Sequence, residues 1–125
     1  KVSGKPLREL LSENEILELV QKTSDGGAEI VGLLKTGSAY FAPSSAAATM
    51  VKSIISNSNE VVPACSWVDG EFGINNVYLG VPTMLGSEGV TKVVEIDLED
   101  NELDALKAAS KAVKTKVEEL NSIIN

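Results

Sequence analysis

The side chains able to do chemistry in this chain are few, and the missing ones set the first boundary. The 125 residues contain no histidine and a single cysteine, Cys65. An imidazole base, a Ser-His-Asp triad and a Cys-His pair therefore cannot be assembled from this chain. Cys65 by itself can close neither an internal disulfide nor a multi-cysteine zinc site. It lies in the apolar run Val61-Val62-Pro63-Ala64-Cys65, where a small buried hydrophobe is the expected role. Asp97, Glu99, Asp100 and Glu102 cluster where the last helix should begin, and acidic residues there complement the helix dipole. No G-x-G-x-x-G or Walker loop follows a strand. The glycines between Gly80 and Gly89 read as punctuation of a hairpin. No catalytic residue and no metal site is expected from the residue types.

One segment has a composition suited to binding. In Lys35-Thr36-Gly37-Ser38-Ala39-Tyr40-Phe41-Ala42-Pro43-Ser44-Ser45-Ala46-Ala47-Ala48 a loop passes into a helix of small residues. Such residues admit a second backbone or a flat ligand at close range, so tight helix packing and ligand contact both fit.

Bulk properties exclude other roles. A net charge of −7 with one arginine, Arg8, argues against nucleic acid. Lys107, Lys111, Lys114 and Lys116 do gather on the last helix, but Glu102, Glu118 and Glu119 offset them. No run approaches the roughly 20 apolar residues of a membrane span, and no signal peptide opens the chain, so a cytoplasmic location is expected. With 43% hydrophobic and 23% charged residues, the chain should fold as one globular domain, 1–125. The first residue is lysine rather than methionine, a weak hint of a trimmed or fragmentary chain.

The elements that must position these residues follow from periodicity. Lys1 to Pro6 reads as a loop. Ser12-Glu13-Asn14-Glu15 is a capping box, and Ile16, Leu19, Val20 and Thr23 keep helical spacing until Gly26-Gly27, which should stop or bend the helix. Ala28 to Leu34 resumes it. Met50, Val51, Ile54 and Ile55 carry a second helix to Asn57-Ser58-Asn59. Strands are expected over Glu60 to Val68, Ile74 to Val81 and Val90 to Ile96. Their short connections imply an antiparallel meander. Leu103, Leu106, Ala109, Ser110, Val113, Val117 and Leu120 form the stripe of a long helix from about Asn101 to Ile123. The fold class is α+β: an antiparallel meander sheet packed with long amphipathic helices.

Gly26-Gly27-Ala28-Glu29-Ile30-Val31, followed by the Leu34-to-Pro43 segment, resembles the C-terminal, substrate-binding domain of the lactate/malate dehydrogenase family. The likeness is closest to malate dehydrogenases built like lactate dehydrogenases. Gly4-Lys5-Pro6-Leu7, Val62-Pro63 with Asp69-Gly70-Glu71-Phe72-Gly73, and Val77-Tyr78-Leu79-Gly80-Val81-Pro82 with Leu85-Gly86 and Gly89-Val90 extend it over nearly the whole chain. The resemblance implies a parent enzyme that moves hydride between NAD and a 2-hydroxy/2-oxo acid, malate and oxaloacetate ahead of lactate and pyruvate. It also implies a His-Gly-Asp segment shortly before Lys1 and, further upstream, an N-terminal Rossmann domain that holds most of the NAD. Arg8 resembles none of the family's substrate-clamping arginines. By similarity, Ser38 and Ala39 line the substrate pocket and Pro43 packs near the nicotinamide. A homo-oligomer is implied too, and the small, apolar face of Ser44 to Ser56 is expected to form part of a subunit contact. The chain alone is expected to be inactive. A non-catalytic binding or assembly module with the same fold is the alternative.

Overall fold

A computed structural model of the chain describes residues 2–124. Lys1, which opens the expected first loop, and Asn125 lie outside the described residues. The order of elements is α1 (Glu13–Leu34), α2 (Phe41–Ser56), β1 (Glu60–Val68), β2 (Val77–Gly86), β3 (Gly89–Val93) and α3 (Asp100–Ile124), with short 3-10 turns at Leu7–Glu9 and Glu71–Gly73. Two compact units are distinguished, Lys1–Ala46 and Ala47–Asn125.

In the first unit, Val2 and Lys5 form an isolated bridge that closes a tight turn before Leu7–Glu9. Ser12 caps α1 as its sequence requires. The Glu15 amide donates to Ser12 Oγ, and the Ser12 amide donates to Glu15 Oε2 at 2.8 Å. This exchange holds the Glu15 carboxyl below its ordinary range, chiefly through its side-chain bond with Ser12. The helix then runs unbroken through Gly26 and Gly27, which corrects the expected stop. Glycine weakens a helix interior without forbidding it, and here 22 residues in register carry the helix across the pair.

The second unit is built on the meander β1-β2-β3, antiparallel throughout. Val62, Ala64 and Val68 of β1 and Val77, Leu79, Val81 and Leu85 of β2 are buried, the period-two pattern of a half-covered sheet. Leu106 of α3 packs on the cluster of Val68, Ile74, Val77, Leu79, Val81 and Val93. Met50 of α2 packs on Val62, Ala64 and Leu85. Ser66 and Thr83, both buried, share a 2.8 Å hydroxyl bond, and Thr83 Oγ1 donates to the Val81 carbonyl at 3.0 Å. Ser66 then donates to Thr83, and both hydroxyls are satisfied.

Two prolines stand opposite each other in this sheet, Pro63 and Pro82. The Pro82 carbonyl accepts the Val94 amide at 2.8 Å, so its backbone polar edge faces away from β1. The pair therefore occupies a non-hydrogen-bonded rung, where the missing N–H groups cost the β1–β2 ladder nothing.

Strand β1 matches its expected bounds, whereas β2 and β3 are shifted. Asn76 takes φ +54°, outside extended space, so β2 starts at Val77 and Ile74 is buried in the connection instead. Beyond Val81 the strand continues to Gly86, and β3 ends at Val93 rather than Ile96. Cys65 is exposed, correcting the expectation that it is buried. It alternates with Ala64 and Ser66 onto the open face of the sheet, opposite Gly80. The last helix starts and ends one residue outside its expected span. Leu103 and Leu106 are half-buried, but Val117 and Leu120 further along the stripe are exposed.

Candidate functional site

Ser38, Ala39 and Pro43 all lie in the first unit, on the link from α1 to α2 and the first turn of α2. The link is built by backbone conformations that turn the chain sharply. Lys35 ends α1 at φ +62°, its amide donating to the Val31 carbonyl, and the Thr36 amide donates to the Leu34 carbonyl at 2.7 Å. Gly37 has φ +98°, a conformation that favours glycine. The ring of Tyr40 covers Gly37 so closely that a Cβ there would stand 2.8 Å from Cε2 and Cζ. The backbone favours glycine at this position, and a Cβ there would also push the exposed Tyr40 ring aside.

Tyr40 itself sits at φ +38°, and its carbonyl accepts the Ser44 amide at 3.0 Å, the first helical bond of α2. Pro43 is the third residue of α2. Amides of a first turn have no helical partner, so the missing proline N–H costs nothing there. Ser38 and Pro43 are exposed and Ala39 is half-buried. Ser38 makes no hydrogen bond to any described residue. The segment thus presents a hydroxyl, a methyl and an apolar ring beside the N-terminus of a 16-residue helix, whose free end favours anionic groups. Tyr40 and Gly37, given no role by the sequence, fix the shape of this link. Glycine followed three residues later by tyrosine was the visible signal.

The 37–43 segment carries no charged side chain. It holds no carboxylate, and no group of His, Cys, Asp or Glu among the described residues could hold a metal ion. Arg8 lies in the 3-10 turn Leu7–Glu9.

The fold defines a class: an α+β domain in which helices pack on a three-stranded antiparallel meander. Comparison with known proteins makes the class specific. The family model described as lactate/malate dehydrogenase, alpha/beta C-terminal domain, matches residues 1–123. A malate dehydrogenase of Chlorobium phaeovibrioides is 46% identical over 123 residues, covering 98% of this chain and 40% of that protein. The structure of malate dehydrogenase from Salinibacter ruber superposes with a TM-score of 0.92 at 36% identity, over 98% of this chain and 40% of that one. That of Plasmodium falciparum malate dehydrogenase in complex with NADH gives 0.89 at 32% identity, over 100% and 42%. The chain belongs to the lactate/malate dehydrogenase family, as its alpha/beta C-terminal domain. It spans about 40% of the length of the curated relatives that it matches.

Proposed function

We propose that this chain is the substrate-side domain of a cytoplasmic, homo-oligomeric, NAD-dependent malate dehydrogenase, which interconverts malate and oxaloacetate. Ser38 and Ala39 line the pocket for the 2-hydroxy/2-oxo acid, and Pro43 lies against the nicotinamide. The observation that carries this reading is the Gly37–Pro43 link: a partnerless hydroxyl, a methyl and an exposed proline placed at a helix N-terminus, in a chain whose relatives are named malate dehydrogenases. The NADH complex of the Plasmodium falciparum relative supports the cofactor assignment.

NAD supplies the hydride acceptor when bound; this chain's residues orient the acid and exclude water from one side. Ser38 can donate to a substrate carboxylate, and Ala39 leaves room for a second one. Proton transfer and the carboxylate clamp fall to residues outside this chain, since it has no histidine and its one arginine sits in the Leu7–Glu9 turn. The partner this requires is an N-terminal part that holds the NAD-binding Rossmann domain and, after it, a segment that carries a histidine.

The test is oxaloacetate reduction by the purified chain, alone and mixed with the N-terminal part of a relative that includes both its cofactor domain and its histidine segment. No turnover is expected alone, and activity is expected from the mixture. Ala39→Leu should then raise KM for oxaloacetate about 10-fold or more by filling the pocket, with Pro43→Ala acting on the KM for NADH instead. Turnover by the chain alone would overturn the reading. A mixture that associates but stays inactive would favour a non-catalytic assembly module. Faster reduction of pyruvate than of oxaloacetate would make the parent a lactate dehydrogenase.

A further inference from the structure

Within the second unit, a groove of about 320 Å³ lies between the Gly73–Asn75 turn and one face of α3, where Lys107, Ser110, Lys111 and Lys114 line it. Its lining contains no carboxylate. The three lysines follow one another at helical spacing on a single face, an arrangement that costs helix stability through like-charge repulsion. None of the three is held in an ion pair within 4 Å among the described residues. Asp104 and Glu118, one turn away along α3, pair with none of the three, whereas Lys116 is tied to Glu119 at 2.7 Å. An acidic chain of net charge −7 thus places three cations without a direct ion pair in one concavity.

Ser110 supplies an independent observation. The residue is only 5% exposed, it lines the groove, and its hydroxyl has no hydrogen-bond partner among the described residues. No fully enclosed side-chain oxygen or nitrogen among the described residues lacks a partner, so the Ser110 hydroxyl opens onto the groove, where it can donate to a ligand. Asn75, on the opposite wall, has an equally unengaged side-chain amide. The groove thus offers three ammonium groups, a hydroxyl and an amide, all able to donate.

We propose that this groove binds a phosphoryl group, as free phosphate or as the phosphate of a small ester. Planar carboxylates are best gripped by the guanidinium fork, and the groove has no arginine. A tetrahedral dianion suits several point donors that approach from different directions. The site is open to solvent, so a doubly charged ligand is needed to prevail over screening.

The test is a titration of the isotope-labelled full chain with inorganic phosphate at constant ionic strength, followed by amide NMR shifts. Saturable shifts are expected at Gly73, Ile74, Asn75 and the 107–114 stretch. Each single Lys→Gln change should weaken binding about 3- to 10-fold, and Ser110→Ala about 3-fold. The triple K107Q/K111Q/K114Q variant should lose saturation while its thermal midpoint is unchanged or raised. Lys111→Arg should retain binding. A sugar phosphate that binds tighter than inorganic phosphate identifies an ester as the ligand; equal affinities identify free phosphate. Shifts that stay linear in phosphate, persist in the triple variant, or appear equally with a dicarboxylate such as malonate would overturn the proposal.

Discussion

At the scale of single residues, the most exacting positions are polar ones. Ser66 and Thr83 bury two hydroxyls that satisfy each other and the Val81 carbonyl. Removing one leaves its partner desolvated, so Ser66→Ala or Thr83→Val should each cost about 1–3 kcal/mol in urea unfolding. The double variant should cost less than the sum of the two; strict additivity would show that the hydroxyls do not depend on each other. Gly37 is constrained differently, by its φ of +98° and by the Tyr40 ring above it. Gly37→Ala should displace Tyr40 and, in a reconstituted enzyme, raise KM for the acid about 10-fold or more with the fold retained by circular dichroism. The Ser12–Glu15 box adds a pH dependence. Bonding with Ser12 lowers the Glu15 pKa in the folded chain, so its stabilisation is present above the unfolded carboxylate range and is lost as pH falls through the lowered value. Ser12→Ala should flatten that acid limb and cost about 1 kcal/mol at neutral pH.

At the scale of elements, the sequence was most legible where local rules act alone. The capping box fixes the start of α1, and β1 and α3, read from their composition and apolar stripe, stand within a residue of their expected bounds. Misreadings arose where a backbone choice overrides propensity. Asn76 at φ +54° and the 3-10 turn at Glu71–Gly73 delay β2, and β-rich composition gives no sign of that. Cys65 looked buried because its neighbours are apolar, yet strand alternation sends it to the open face. The glycine pair in α1 misled because its cost is only energetic. An added Cβ at Gly26 or Gly27 meets nothing within 4 Å. Gly26→Ala and Gly27→Ala should therefore each stabilise α1 by up to about 1 kcal/mol, read as a higher thermal midpoint. Destabilisation by either would mean that the pair serves a contact outside this chain. The wall segment was legible only through family resemblance, because small residues at a helix start fit packing as well as binding.

At the scale of the whole molecule, covered and uncovered elements differ in what holds them. The sheet of the second unit buries Val68, Leu85 and Thr83 almost completely, and its ladders are anchored to Met50 and Leu106. Helix α1 is 22 residues long and none of them is buried. Its apolar side chains include Leu17, Val20, Ile30 and Leu33, all exposed. Most helical stability in proteins comes from packing of an apolar face rather than from propensity, and α1 carries two glycines as well. Opening of α1 should thus cost far less free energy than opening of the sheet. Hydrogen exchange followed by mass spectrometry should find the amides of 13–34 exchanging at least about 100-fold faster than those of 62–68 and 77–85, a gap of about 2.7 kcal/mol. If the proposed Rossmann partner or a second copy covers α1 in the parent enzyme, adding the cofactor domain should slow exchange in 13–34 while leaving the sheet unchanged. Equal protection of helix and sheet in the chain alone would show that α1 needs no partner, and the apolar stripe would then lose its explanation as an interface.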